Sequence, residues 1–94
     1  LPPPTSIFGA APNPFNPRTR IEFMLGRGGP VRMDVFDVKG RWVRTLLEES
    51  LEAGPHDVVW NGRDAGGQDM GTGVYLYRLQ TSEGAYSGRM TLIR

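Results

Sequence analysis

The 94-residue chain contains no cysteine, so disulfide staples and thiolate chemistry are excluded. It has a single histidine, which leaves an imidazole-based catalyst short of partners. No apolar run approaches the roughly 20 residues a membrane-crossing helix requires. Lys and Arg nearly balance Asp and Glu, giving a net charge of +1, and the arginines are spread along the chain. The basic stripe that a nucleic-acid ligand favours is missing. No window carries the helical 3.6-residue apolar period. The sequence opens on Leu1 and shows no charged-then-apolar leader, so it is expected to be a processed product or a piece of a longer chain. Absence of cysteine does not itself assign a compartment.

Glycine and proline, by contrast, are plentiful, at 13 and 8 residues, and they punctuate short alternating runs. The densest punctuation is Ala11-Pro12-Asn13-Pro14-Phe15-Asn16-Pro17. Proline fixes φ, lacks an amide donor and extends the residue before it. This segment is therefore expected to be a stiff corner, with Phe15 as its anchor into a core. After it, Ile21, Phe23 and Leu25 alternate, then Val31, Met33 and Val35. Asp37 to Gly40 reads as a tight hairpin turn, with Gly40 available for positive φ. Trp42 to Leu47 breaks the alternation, which predicts a bulge. His56, Val58 and Trp60 alternate next, then Tyr75, Tyr77 and Leu79, and finally Met90 and Leu92. Gly26–Pro30, Leu51–Pro55, 61–72 and Ser82–Gly84 read as turns or loops. With a short edge strand near the N-terminus, this makes seven strands spaced by about 8–12 residues.

The predicted fold is an all-β, seven-stranded antiparallel sandwich of the immunoglobulin kind. One domain is expected, residues 11–94, preceded by a proline-rich arm at residues 1–10. Phe15, Phe23, Val35, Trp60, Tyr77 and Leu92 are expected to share its core. Pro2 to Pro4 favour polyproline II. Ile7 and Phe8 then offer apolar anchors, either to the chain's own edge or to a neighbour's by strand addition. Tyr75 is placed to act as a tyrosine corner, its hydroxyl bonding back to a loop.

Few residues invite chemistry. His56 has Asp57 beside it, but successive strand residues point to opposite faces. A strand histidine bonded to loop backbone is the plainer reading. Asn61, Asp64, Gln68 and Asp69 share a loop with four glycines. Calcium takes six to eight oxygens, and these few side chains do not follow a calcium-loop spacing. Asp64 is expected to cap turn amides and Arg63 to pair with a carboxylate, leaving Asn61, Asp64 and Asp69 as weak calcium candidates. Gly26-Arg27-Gly28-Gly29 lacks the Lys-Ser/Thr and helix of a phosphate loop. Trp42, next to Arg41 and Arg44, is a candidate protein contact, or a cap on the end of the sandwich.

Four spaced motifs also carry a resemblance. Pro12-Asn13-Pro14-Phe15-Asn16-Pro17, Val35-Phe36-Asp37-Val38-Lys39-Gly40-Arg41, Ala53-Gly54-Pro55-His56 followed by Val59-Trp60-Asn61-Gly62-Arg63-Asp64, and Gly73-Val74-Tyr75-Leu76-Tyr77-Arg78-Leu79 occur in order. Together with the closing Met90 to Arg94, they resemble the C-terminal sorting domains of type IX secretion and the Ig-like domain of the flagellar hook-capping protein (FlgD-like). The resemblance implies a non-catalytic module of an exported bacterial protein, secreted or held at the cell surface. Its implied partners are proteins: secretion or attachment machinery, or copies of itself. Ile7, Phe8 and Trp42 are the expected contact residues, and no cofactor is expected. The alternative is a self-assembling filament or hook-cap-like subunit joined through its N-terminal arm.

Overall fold

The computed structural model describes residues 4–94. The seven strands are β1 (Ser6–Ala11), β2 (Thr19–Leu25), β3 (Gly29–Asp37), β4 (Trp42–Leu51), β5 (Gly54–Trp60), β6 (Gly73–Thr81) and β7 (Gly84–Leu92). Every pairing between two of these strands is antiparallel. One sheet has the order β1-β2-β5 and the other β4-β3-β6-β7. The sheets close along both edges, where β1 meets β7 and β4 meets β5. The expected sandwich is the observed one.

Period-two alternation decides which side chains enter the core. In β2 the even spacing buries Ile21, Phe23 and Leu25 and turns Arg20 and Glu22 out. In β3 it buries Val31, Met33 and Val35. All six residues expected to share the core, from Phe15 to Leu92, lie in one buried cluster. Trp60 is fully buried, between Phe15 at a ring-centroid distance of 5.7 Å and Tyr75 at 5.1 Å. Its indole N–H donates to the Arg63 carbonyl at 2.9 Å, so burial leaves no orphan donor.

The break in alternation after Trp42 has the expected cause. The β3–β4 register slips between Met33 and Asp34 and again between Val35 and Phe36, so β4 carries two extra residues, Val43 and Leu46. Slips of this kind let Val43 enter the core while Trp42 stays outside. Gly40, at φ 81°, closes the hairpin through its N–H to the Asp37 carbonyl.

Strand ends differ from the sequence reading. β3 begins at Gly29, inside the expected turn, and Leu51, Gly54 and Pro55 belong to strands, not to a loop. β7 starts at Gly84, three residues early. In each case backbone pairing extends beyond the alternating apolar run, as it does over Glu48–Ser50 of β4. The segment expected to be an arm contributes β1, paired with β2 of the same chain. Thr5 fixes its start: the Gly26 N–H donates to the Thr5 hydroxyl, which in turn donates to Glu83. Of the expected polyproline stretch, Pro2 and Pro3 lie outside the described residues.

The proline corner is stitched to β7. Phe15 N–H donates to the Thr91 carbonyl and Ile93 N–H to the Phe15 carbonyl, both at 2.9 Å. Thr91 N–H donates to the Asn13 side chain at 2.9 Å, and the buried Thr19 hydroxyl donates to the Pro12 carbonyl at 2.8 Å. The short parallel bridge between Phe15 and Leu92 links the first part of the chain to the last.

Gly88 sits opposite Tyr77 in the β6–β7 ladder, and the Tyr77 ring lies over it. A β-carbon there would overlap the ring and its hydroxyl. Gly88→Ala should therefore cost about 1–3 kcal/mol, the usual range for overpacking. The urea midpoint measures it, and a Tyr77→Phe background should recover part of the loss. An unchanged midpoint would show that the ring moves aside freely.

Candidate functional site

The loop between β5 and β6 is held by its own polar groups. The Asn61 side-chain oxygen accepts from Arg63 N–H at 3.2 Å. One Asp64 carboxylate oxygen accepts from the amides of Gly66 and Gln68, each at 2.9 Å, so Asp64 caps the turn as expected. Arg63 pairs with Asp69 at 3.1 Å. Asn61, Asp64 and Asp69, the weak calcium candidates, are thus each engaged in fixing the loop. Among the described residues no three His, Asp or Glu side chains are grouped as a metal ion requires.

Arg94 has no local signal of its role, because its partners lie 24 and 32 residues away. Its guanidinium donates to the carbonyls of Met70 at 2.6 Å and Gly62 at 2.7 Å, and lies 3.4 Å from Asp69. Gly62 has a φ of 74°, and a β-carbon there would come within 2.9 Å of that guanidinium. Glycine thus satisfies both the backbone and the close approach. Tyr75 completes this end as a tyrosine corner, its hydroxyl donating to the Gly71 carbonyl at 2.7 Å.

His56 donates from Nε2 to the Glu52 carbonyl at 2.6 Å, and its ring lies 5.6 Å from that of Phe23. Asp57 points away and meets Arg20 at 3.5 Å. The histidine is engaged with loop backbone, the plainer of the two readings. Ile7 packs against the core of its own domain, whereas Phe8, at the β1 bulge, is exposed.

Trp42 is half exposed on the outer face of the four-stranded sheet, yet it is held in place. Its indole N–H is shared between the Asp34 carboxylate at 3.3 Å and the Thr45 hydroxyl at 3.2 Å. Thr45 donates to the same Asp34 oxygen, and Arg32 Nε donates to the other at 2.8 Å. Arg32 also reaches Glu48 at 3.0 Å. Asp34 is almost completely covered by these groups. On its other side Trp42 walls a cleft of about 440 Å³ between the β3–β4 hairpin and the loop, with Val43, Ala65 and Met70 among its lining.

Burial pushes the Asp34 carboxyl up, but hydrogen bonds from Thr45, Arg32 and Trp42 and the Arg32 charge outweigh it, holding the group below its ordinary value. A depressed folded-state pKa adds stability that is complete above the unfolded value, about 3.9, and is lost as pH falls through the folded one. Asp34→Asn should therefore destabilise the domain at pH 7 and lessen the loss of stability below about pH 4. Urea unfolding across that range checks both. An acid limb as steep in the variant as in the parent would assign the effect elsewhere, to Asp37 first, whose carboxyl is held low mainly by the Arg41 amide.

Residues 18–85 match the FlgD Ig-like domain family. No curated protein matches the chain. Among solved structures it is similar to dimeric latent PorU from Porphyromonas gingivalis, at 21% identity and a TM-score of 0.73, over 95% of this chain and 9% of that one. It is similar to FlgD from P. aeruginosa at 28% identity and a TM-score of 0.64, over 79% and 59%. PorZ of P. gingivalis, a surface component of the type IX secretion system, matches at 23% identity and a TM-score of 0.65, over 95% and 12%.

Proposed function

The chain belongs to the FlgD Ig-like domain family, and from that membership we propose that it is a non-catalytic module through which a larger exported bacterial protein is sorted or attached at the cell surface by protein contacts. The observation that carries the reading is one of scale. Nearly the whole chain corresponds to 9% of PorU and 12% of PorZ, so the same sandwich recurs as a small part of much longer proteins. A fold alone does not assign a role. The proximity of β1 to its own β2 supports a self-contained module over an assembly subunit that lends its first strand to a neighbour. Phe8 and Trp42 are its outward contact candidates.

The test is delivery of cargo. Residues 1–94 fused to the C-terminus of a periplasmic reporter, in a bacterium with type IX secretion, should bring the reporter to the surface or the medium. The reporter alone should stay behind. A fusion that folds but remains periplasmic would sink the sorting reading. Sedimentation of the free domain as long polymers, abolished by deleting residues 1–10, would favour the assembly subunit.

A further inference from the structure

The outer face of the four-stranded sheet carries an apolar row at right angles to its strands. Register places Trp42 beside Phe36 and Phe36 beside Leu76, across β4, β3 and β6. The row ends at Arg89 on β7, opposite Leu76. Neighbouring strands are about 4.8 Å apart, so the row spans the sheet. All three apolar side chains alternate with buried neighbours and so face outward.

The charges on this face are unequal. Its acids, Asp34 and Glu48, are both taken up by Arg32. Arg78, opposite Asp34 in the ladder, and Arg89 are exposed and form no ion pair among the described residues. An aromatic anchor held by hydrogen bonds to Asp34 and Thr45, in one row with Phe36 and Leu76 and with unpaired arginines at the far end of that row, has the composition of an interface hot spot. The Asp34–Thr45 network fixes the indole before any partner arrives, which lowers the ordering cost of binding.

We propose that this face, centred on Trp42, Phe36 and Leu76 and edged by Arg78 and Arg89, docks an acidic segment of a partner protein whose apolar side chains lie along the row. The proposal rests on the protein-contact reading above and names the surface and the charge of its partner.

The probes are short peptides that alternate glutamate with leucine, their lysine–leucine counterparts, and polyglutamate. Trp42 emission reports binding, because Trp60 is fully buried and Trp42→Phe supplies the background. The glutamate–leucine peptide should shift Trp42 to the blue and saturate, about tenfold more tightly than the lysine counterpart, and weaken with salt. Arg78→Glu with Arg89→Glu should weaken it by a similar factor at an unchanged melting temperature, while lysine at both positions restores most of the binding. Equal binding of both peptides, indifference to the double reversal, or equally tight binding of polyglutamate would overturn the proposal. So would a blue shift with added protein alone, which would mean a second copy occupies the face. The double reversal in the reporter fusion separates the two readings. Delivery kept while peptide binding is lost overturns the assignment of this face and leaves sorting intact. A wild-type fusion that is not delivered overturns sorting alone, and the titration then decides the face.

Discussion

Trp60→Ala should cost about 3–5 kcal/mol, the range for truncating a buried large aromatic. Small domains hold a total of roughly 5–15 kcal/mol, and one of this length sits towards the lower end. At about 4–8 °C per kcal/mol the melting temperature should fall by tens of degrees, and the variant should be largely unfolded at 37 °C. The loss has three sources. The indole is fully buried, its ring contacts with Phe15 and Tyr75 disappear, and the Arg63 carbonyl loses its donor. Circular dichroism melts decide it. A transition within a few degrees of the parent would mean the aromatic trio is not the centre of the core.

Phe15→Ala should cost a similar amount, about 3–5 kcal/mol, although Phe15 lies outside every strand. Its side chain fills the core end while its backbone bridges to β7, so truncation loosens the corner and the last strand together. Phe15→Leu keeps most of the volume and should cost less than about 1.5 kcal/mol. Since Phe15 and Trp60 touch, the double variant should fall short of additivity by about 0.5–3 kcal/mol in urea unfolding. Strict additivity would show that the two rings contribute independently.

Much of this was legible because alternation and proline chemistry are local signals. Ile21, Phe23 and Leu25 announce their face within seven residues, and the prolines around Phe15 exclude helix before any tertiary contact is considered. The disordered alternation after Trp42 pointed to a bulge, and two register slips were there. Strand ends were less legible, because Glu48, Glu49 and Ser50 lie on an edge strand whose pairing needs no apolar side chain. Three features depend on side-chain contacts between elements and left no trace in the alternation. These are the burial of Asp34 under Trp42 and Thr45, the cover of Gly88 by Tyr77, and the reach of Arg94 to Gly62 and Met70.

The Phe15–Leu92 bridge has a mechanical side. Thr5 is fastened beside the β6–β7 turn, while Arg94 is fastened at the opposite end, beside the start of β6. The nine residues of β6 separate these points by about 30 Å. Tension applied between them runs along the strands. It loads the hydrogen bonds of Phe15 to Thr91 and Ile93 in shear, so they share the force instead of parting one after another. Resistance to such a pull is governed by the unfolding rate and not by equilibrium stability. A pull between the two fastened points is thus met by the proline corner and the last strand together.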